Sequence, residues 1–127
     1  MSEIPLIAVV DDDQAIRDAI QSLIRSVGLR AAVFASAEDF LRSGQLQDTA
    51  CLIVDVRMPH MGGLELQQQL IAAGRPPPMI FITAHADEDA RARALRAGAV
   101  DFLYKPFSDE VLLRGVHSAL QSSRGGA

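Results

Sequence analysis

Apolar runs of strand length recur along this chain, and stretches with apolar positions at helical spacing separate them. Leu6-Ile7-Ala8-Val9-Val10 is continuous, as in a strand covered on both faces. Beyond it Ile16, Ile20, Leu23, Ile24 and Val27 fall on one helical face, with Gly28 placed as a C-terminal cap. Ala31 to Phe34 predicts a short second strand. Ser36 then suits a helix cap, with Glu38 and Asp39 in the first turn, and that helix ends near Gly44. Cys51 to Val54 is a third strand, and Asp55 appears as its apolar run stops. Pro59, four residues later, prevents the strand from continuing as a central ladder member.

Leu64 to Ala73 predicts a helix ending at Gly74, and Pro76 to Pro78 exclude helix ahead of a fourth apolar run, Met79 to Thr83. Asp87 to Ala97 has good helix propensity but a thin apolar stripe, and Gly98 follows it. Val100 to Tyr104 is a fifth strand, closed by Lys105-Pro106. Ser108 suits the cap of a last helix, whose apolar face is Val111, Leu112, Val116 and Leu120. The stretch 122–127 has linker composition and is expected to be a frayed tail or the start of a linker, leaving 1–121 as one domain.

Five strands alternating with five helices, the strands nearly all apolar, predict an α/β fold: a parallel sheet with helices on both faces. Right-handed crossovers narrow this to a doubly wound sheet. No sequence repeats between the strand–helix units.

Composition changes little in that picture and removes several classes. The 127 residues suffice for one core, and 49% apolar with 22% charged residues is an ordinary globular balance. No apolar run approaches the roughly 20 residues needed to span a bilayer, and the first residues lack the pattern of a signal peptide. Cytoplasm is the expected compartment, with no membrane partner. The one cysteine, Cys51, excludes an intrachain disulfide and reads as a small buried hydrophobe. A net charge of −4 gives no overall footprint for nucleic acid, so direct binding by this segment is not expected. The cluster Arg91, Arg93 and Arg96 is explained as well by a solvated helix face as by a binding patch.

In a doubly wound sheet the carboxyl ends of the strands share one edge, where ligands bind. At those ends stand Asp11 and Asp12, Asp55, Thr83 and Lys105. Singly each has a plain explanation: an Asp forms turns or caps helices, Thr83 fills a strand, Lys105 is solvated. Together they make a chemical set. Clustered carboxylates require a compensating cation or a raised pKa. Mg2+ (or Mn2+) suits oxygen ligands, whereas His60, His85 and His117 are too scattered in sequence to suggest zinc. A carboxylate, a metal site, a hydroxyl and a lysine are the parts needed to move a phosphoryl group onto Asp55.

The chain resembles a response regulator receiver domain over residues 5–121. The matching motifs are Val9-Val10-Asp11-Asp12, Asp55 through Gly63, Phe81-Ile82-Thr83-Ala84 and Ala97 through Phe107. The resemblance implies a flavodoxin-like sheet of order 2-1-3-4-5 and phosphoryl transfer to Asp55 from a sensor histidine kinase, a phosphotransfer protein or a small phosphodonor. It implies a metal held by Asp12, Asp55 and the Arg57 carbonyl, with Asp11 assisting through water. It also implies phosphoryl contacts from Thr83 and Lys105, and an inward turn of Phe102 as Thr83 moves toward the phosphate. The surface of the fourth helix, fifth strand and fifth helix would then be remodelled to control an output or a homodimer. Arg57 and His85 occupy the positions that tune hydrolysis. The wording Gly98 to Leu103 is similar to receivers fused to a helix-turn-helix transcription domain.

Two other readings stay open at this point. A haloacid-dehalogenase-like phosphohydrolase would use Asp11 and Asp13 as an Asp-x-Asp pair, but it leaves Asp55 without a role. A receiver-like scaffold that is never phosphorylated would not need the acid, hydroxyl and lysine set. Asp13 itself is either a third acid beside the metal pair or a helix cap.

Overall fold

The computed structural model describes residues 3–74 and 76–125. Strands β1 (Leu6–Val10), β2 (Arg30–Phe34), β3 (Thr49–Asp55), β4 (Met79–Thr83) and β5 (Asp101–Tyr104) alternate with α1 (Gln14–Ser26), α2 (Ala37–Arg42), α3 (Gly63–Ala72), α4 (Glu88–Arg96) and α5 (Asp109–Gly125). All strand pairs are parallel and the order is β2-β1-β3-β4-β5, as the resemblance implies.

The continuous apolar runs follow from burial on both sides. Ala8, Val10, Leu52, Val54 and Phe81 face one way, onto α2, α3 and α4 through Phe40, Leu66, Leu70, Ala90 and Ala94. Ile7, Val9, Ile53, Ile80 and Ile82 face the other way, onto α1 and α5 through Ile20, Ile24, Leu112 and Val116. A period of two therefore splits each run between two cores, and β1 and β4 hold no polar side chain ahead of Thr83.

The expected glycine stops are present. Gly28, Gly44, Gly74 and Gly98 have φ of 84°, 74°, 91° and 106°, the left-handed conformation that ends a helix. Ser36 accepts from the Asp39 N–H at 3.0 Å, and Ser108 from the Val111 N–H at 3.1 Å.

Several boundaries shift. β3 starts earlier, at Thr49, after a 3-10 turn over Leu46–Asp48 that has no apolar periodicity to announce it. α3 begins at Gly63, one residue ahead of Leu64, and β5 omits Val100. α5 continues to Gly125, so residues 122–125, expected as tail or linker, extend the helix instead. Propagating a helix costs little once a packed segment has nucleated it, and no proline intervenes. Residues 126 and 127 of the expected tail lie outside the described residues.

Candidate functional site

Register brings the polar residues to one edge. Val10 pairs with Val54 across β1 and β3, so Asp11 emerges beside Asp55. Asp55 pairs with Ile82, which sets Thr83 one step beyond on β4. Thr83 pairs with Tyr104, so Lys105 leaves β5 at the same rim. The parallel ladder alone aligns these four positions.

Lys105 then crosses the gap. Its Nζ donates to Asp11 Oδ2 at 3.0 Å and to Asp55 Oδ2 at 2.9 Å. The other oxygens are held by the backbone: the Asp13 N–H donates to Asp11 Oδ1 and the Arg57 N–H to Asp55 Oδ1, each at 2.9 Å. Asp11 is fully buried and Asp55 nearly so, while Asp12 is exposed. Burial pushes the Asp11 carboxyl above the usual carboxylate range, against the pull of the Asp13 N–H and Lys105. For Lys105, burial works against the charge, yet its hydrogen bonds to Asp55 and Asp11 outweigh that and leave the ammonium more basic than a free lysine.

One carboxylate oxygen from each of Asp11, Asp12 and Asp55 lies within 4.8 Å of the other two. Three carboxylates against one ammonium leave this corner under-neutralised, and the donors are all hard oxygens. That donor set fits a hard, oxygen-seeking cation such as Mg2+ or Mn2+. Asp13 does not join them. Its carboxylate caps α1 by accepting from the Ala15 and Ile16 N–H groups at 2.9 and 3.4 Å. The cap reading is the correct one, and the Asp-x-Asp pair loses its second member.

Thr83 is buried but turned aside: its Oγ1 accepts from the His85 N–H at 3.1 Å in the turn before α4. His85 is exposed beside it. Phe102 is already inside, 5% exposed, stacked on Phe81 at 6.1 Å and edge-on to Tyr104 at 5.6 Å.

The loop after β3 depends on the two glycines that close the motif running from Asp55 to Gly63. A Cβ on Gly62 would sit 2.6 Å from the Val56 carbonyl oxygen, and one on Gly63 2.6 Å from that of Asp55. No side chain fits there, so α3 starts hard against the end of β3 and turns the chain carrying Arg57 back over the site. The adjacent Gly-Gly pair was the signal available.

Sequence reasoning also missed two tethers on α4. Arg57 reaches Asp87, the N-cap of α4, at 3.5 Å, and the Tyr104 hydroxyl donates to Glu88 Oε2 at 3.1 Å. Thirty positions separate Arg57 from Asp87, so no local pattern could have joined them.

A concavity of about 1070 Å3 lies at the opposite edge of the sheet near Thr49, Gln67, Pro78 and Met79, where none of the described lining residues is charged. A smaller apolar cleft of about 180 Å3 adjoins the acidic site, formed by Ile16, Ile20, Leu23, Lys105, Pro106 and Leu112. Charge and burial, not volume, locate the chemistry.

The family model described as the response regulator receiver domain matches residues 7–117. The chain belongs to that family. It is 48% identical over 117 residues to the response regulator protein TmoT of Ectopseudomonas mendocina, covering 91% of this chain and 53% of that protein. It is 40% identical over 115 residues to the transcriptional regulatory protein FixJ of Azorhizobium caulinodans, covering 91% of this chain and 54% of FixJ. Among solved structures, the response regulator StyR superposes with a TM-score of 0.90 at 41% identity, covering 97% of this chain and 62% of StyR. The receiver domain thus spans about half the length of the curated relatives it matches. A receiver is a signalling domain, and the relatives named above include a transcription regulator.

Proposed function

We propose that this receiver domain accepts a phosphoryl group on Asp55 and passes the change to a transcriptional output. The observation that carries the reading is the Lys105 ammonium bridging buried Asp11 and Asp55 beside exposed Asp12. In the reaction a carboxylate oxygen of Asp55 forms a bond to phosphorus as the donor's N–P or O–P bond breaks, and the leaving group takes up the proton. Lys105 already stands within hydrogen-bond reach of Asp55 and would follow onto a phosphoryl oxygen.

Asp12, Asp55 and the Arg57 carbonyl would hold Mg2+ directly, with Asp11 through water. The ion would supply positive charge against the phosphoryl oxygens. Thr83 would turn its hydroxyl proton from the His85 carbonyl, 3.4 Å away, to a phosphoryl oxygen, and Phe102, packed on Phe81, would hold the inward position that this exchange favours. Arg57 and His85, both exposed at the mouth, would tune access of water.

The donor is a sensor histidine kinase, a phosphotransfer protein or a small phosphodonor. The apolar cleft beside Lys105 supports a protein donor, because a docked apolar side chain there would lie next to the acceptor. The face of α4, β5 and α5 carries the response to an output or to a second copy of the chain; α4 has the lightest anchoring of the helices. Nothing in this reading calls for nucleic acid or membrane contact by the domain itself, and it is expected to act in the cytoplasm.

Incubation with Mg2+ and acetyl phosphate or phosphoramidate, followed by borohydride trapping, should label Asp55. The label should vanish in Asp55→Asn and with EDTA. Label on Asp11 that survives Asp55→Asn would support the phosphohydrolase, and no label at all the scaffold.

A further inference from the structure

We propose that Asp87 is a positioning residue for the chemistry at Asp55, acting through the side chain of Arg57. The inference rests on the reading of Asp55 as phosphoacceptor and adds to it a residue at the start of α4. Arg57 touches both places. Its backbone N–H donates to Asp55 Oδ1 at 2.9 Å, and its guanidinium lies 3.5 Å from Asp87 Oδ2.

Asp87 is in turn divided between two tasks. Oδ1 accepts from the Ala90 N–H at 3.0 Å and so caps α4, while Oδ2 faces Arg57. The same carboxylate therefore anchors the helix and restrains the guanidinium. The restraint is weak, since the Arg57 and Asp87 side chains are 57% and 34% exposed and a solvated pair of this kind gains little.

A phosphoryl group on Asp55 changes the competition. It brings higher charge density and several acceptor oxygens within reach of a side chain whose backbone already borders the acceptor. Guanidinium pairs with phosphate more strongly than with a single exposed carboxylate. Arg57 leaves Asp87 for the phosphoryl group, and the first turn of α4 loses one of its two tethers, keeping only the Tyr104–Glu88 hydrogen bond. The buried side chains of α4 are both alanines, Ala90 and Ala94, so loss of a tether matters more there than on a well-packed helix. Because the coupling is reciprocal, removing the Asp87 carboxylate must also strengthen binding of the phosphoryl group.

Asp87→Ser tests this, since serine retains the cap and lacks the charge. Beryllofluoride with Mg2+ serves as a non-hydrolysable phosphoryl mimic, titrated by fluorine NMR against the wild type, Asp87→Ser, Arg57→Ala and the double variant. Asp87→Ser should bind roughly twofold to fivefold more tightly, the size of an exposed ion pair. Arg57→Ala should bind more weakly, and adding Asp87→Ser to it should change nothing further. Amide exchange in the first turn of α4 should quicken on beryllofluoride binding in the wild type and much less in Asp87→Ser. An unchanged affinity in Asp87→Ser, or the same shift with and without Arg57, overturns the proposal while leaving the phosphoacceptor reading intact. Absence of beryllofluoride binding in the wild type removes both.

Discussion

Lys105 has the most exacting electrostatic position in the chain, because it is the ammonium that contacts two buried carboxylates at once. Lys105→Met should lower stability by about 1–3 kcal/mol, as Asp11 and Asp55 are left without their cation. Added Mg2+ should restore more stability in that variant than in the wild type, as followed by urea unfolding with and without the metal. An equal response to Mg2+ in both proteins would argue against a shared carboxylate site. Gly63 is the steric counterpart. Its missing Cβ leaves room for the Asp55 carbonyl, and Gly63→Ala should cost about 1–3 kcal/mol by overpacking. Thermal unfolding measures that loss, and phosphoryl labelling should fall with it, since the same close approach sets the Arg57 loop. Neither role could be assigned to its residue from local pattern. A lysine before a proline and a glycine before a helix have ordinary explanations until the opposite strand is in place.

Among the elements, α4 differs in how it is held. Polar tethers at its first turn and one buried amide contact, Gln67 Nε2 donating to the Ala94 carbonyl at 3.1 Å, supplement two small buried side chains. α3 by contrast buries Leu66 and Leu70, and α1 buries Ile20 and Ile24. Amide exchange should therefore protect α4 least among α1, α3 and α4; protection of α4 equal to α1 would contradict this account. The thin stripe of Asp87 to Ala97 was visible in sequence. The tethers were not, because their partners Arg57, Tyr104 and Gln67 come from other elements. Cap prediction was dependable for the same reason in reverse: Ser36, Ser108 and the four glycines act within a few residues of themselves.

For the molecule as a whole, the sheet separates two cores, and Cys51 lies in one of them with no exposed surface. Burial pushes its thiol up to about 12. Thiol reagents should leave the native protein unmodified, with labelling that tracks global unfolding in urea; rapid native-state labelling would mean β3 opens locally.

Sequence alone determined what is periodic or local: the alternation of strands and helices, their caps, and a polar residue (Asp11, Asp55, Thr83 or Lys105) at the end of four of the five strands. Parallel α/β topology follows from those features, since covered strands must be apolar throughout and crossovers have one hand. The receiver motifs then pointed to Asp55. Only the tertiary structure decided which oxygen meets which proton. It assigned Asp13 to the α1 cap, turned Thr83 toward His85, buried Phe102 and carried Arg57 across to Asp87. These outcomes depend on strand register and on side-chain reach between distant segments, and no window of the chain contains both partners. Asp55 could be named from its place at a strand end; its cation, Lys105, stands fifty residues away in sequence and 2.9 Å away in space.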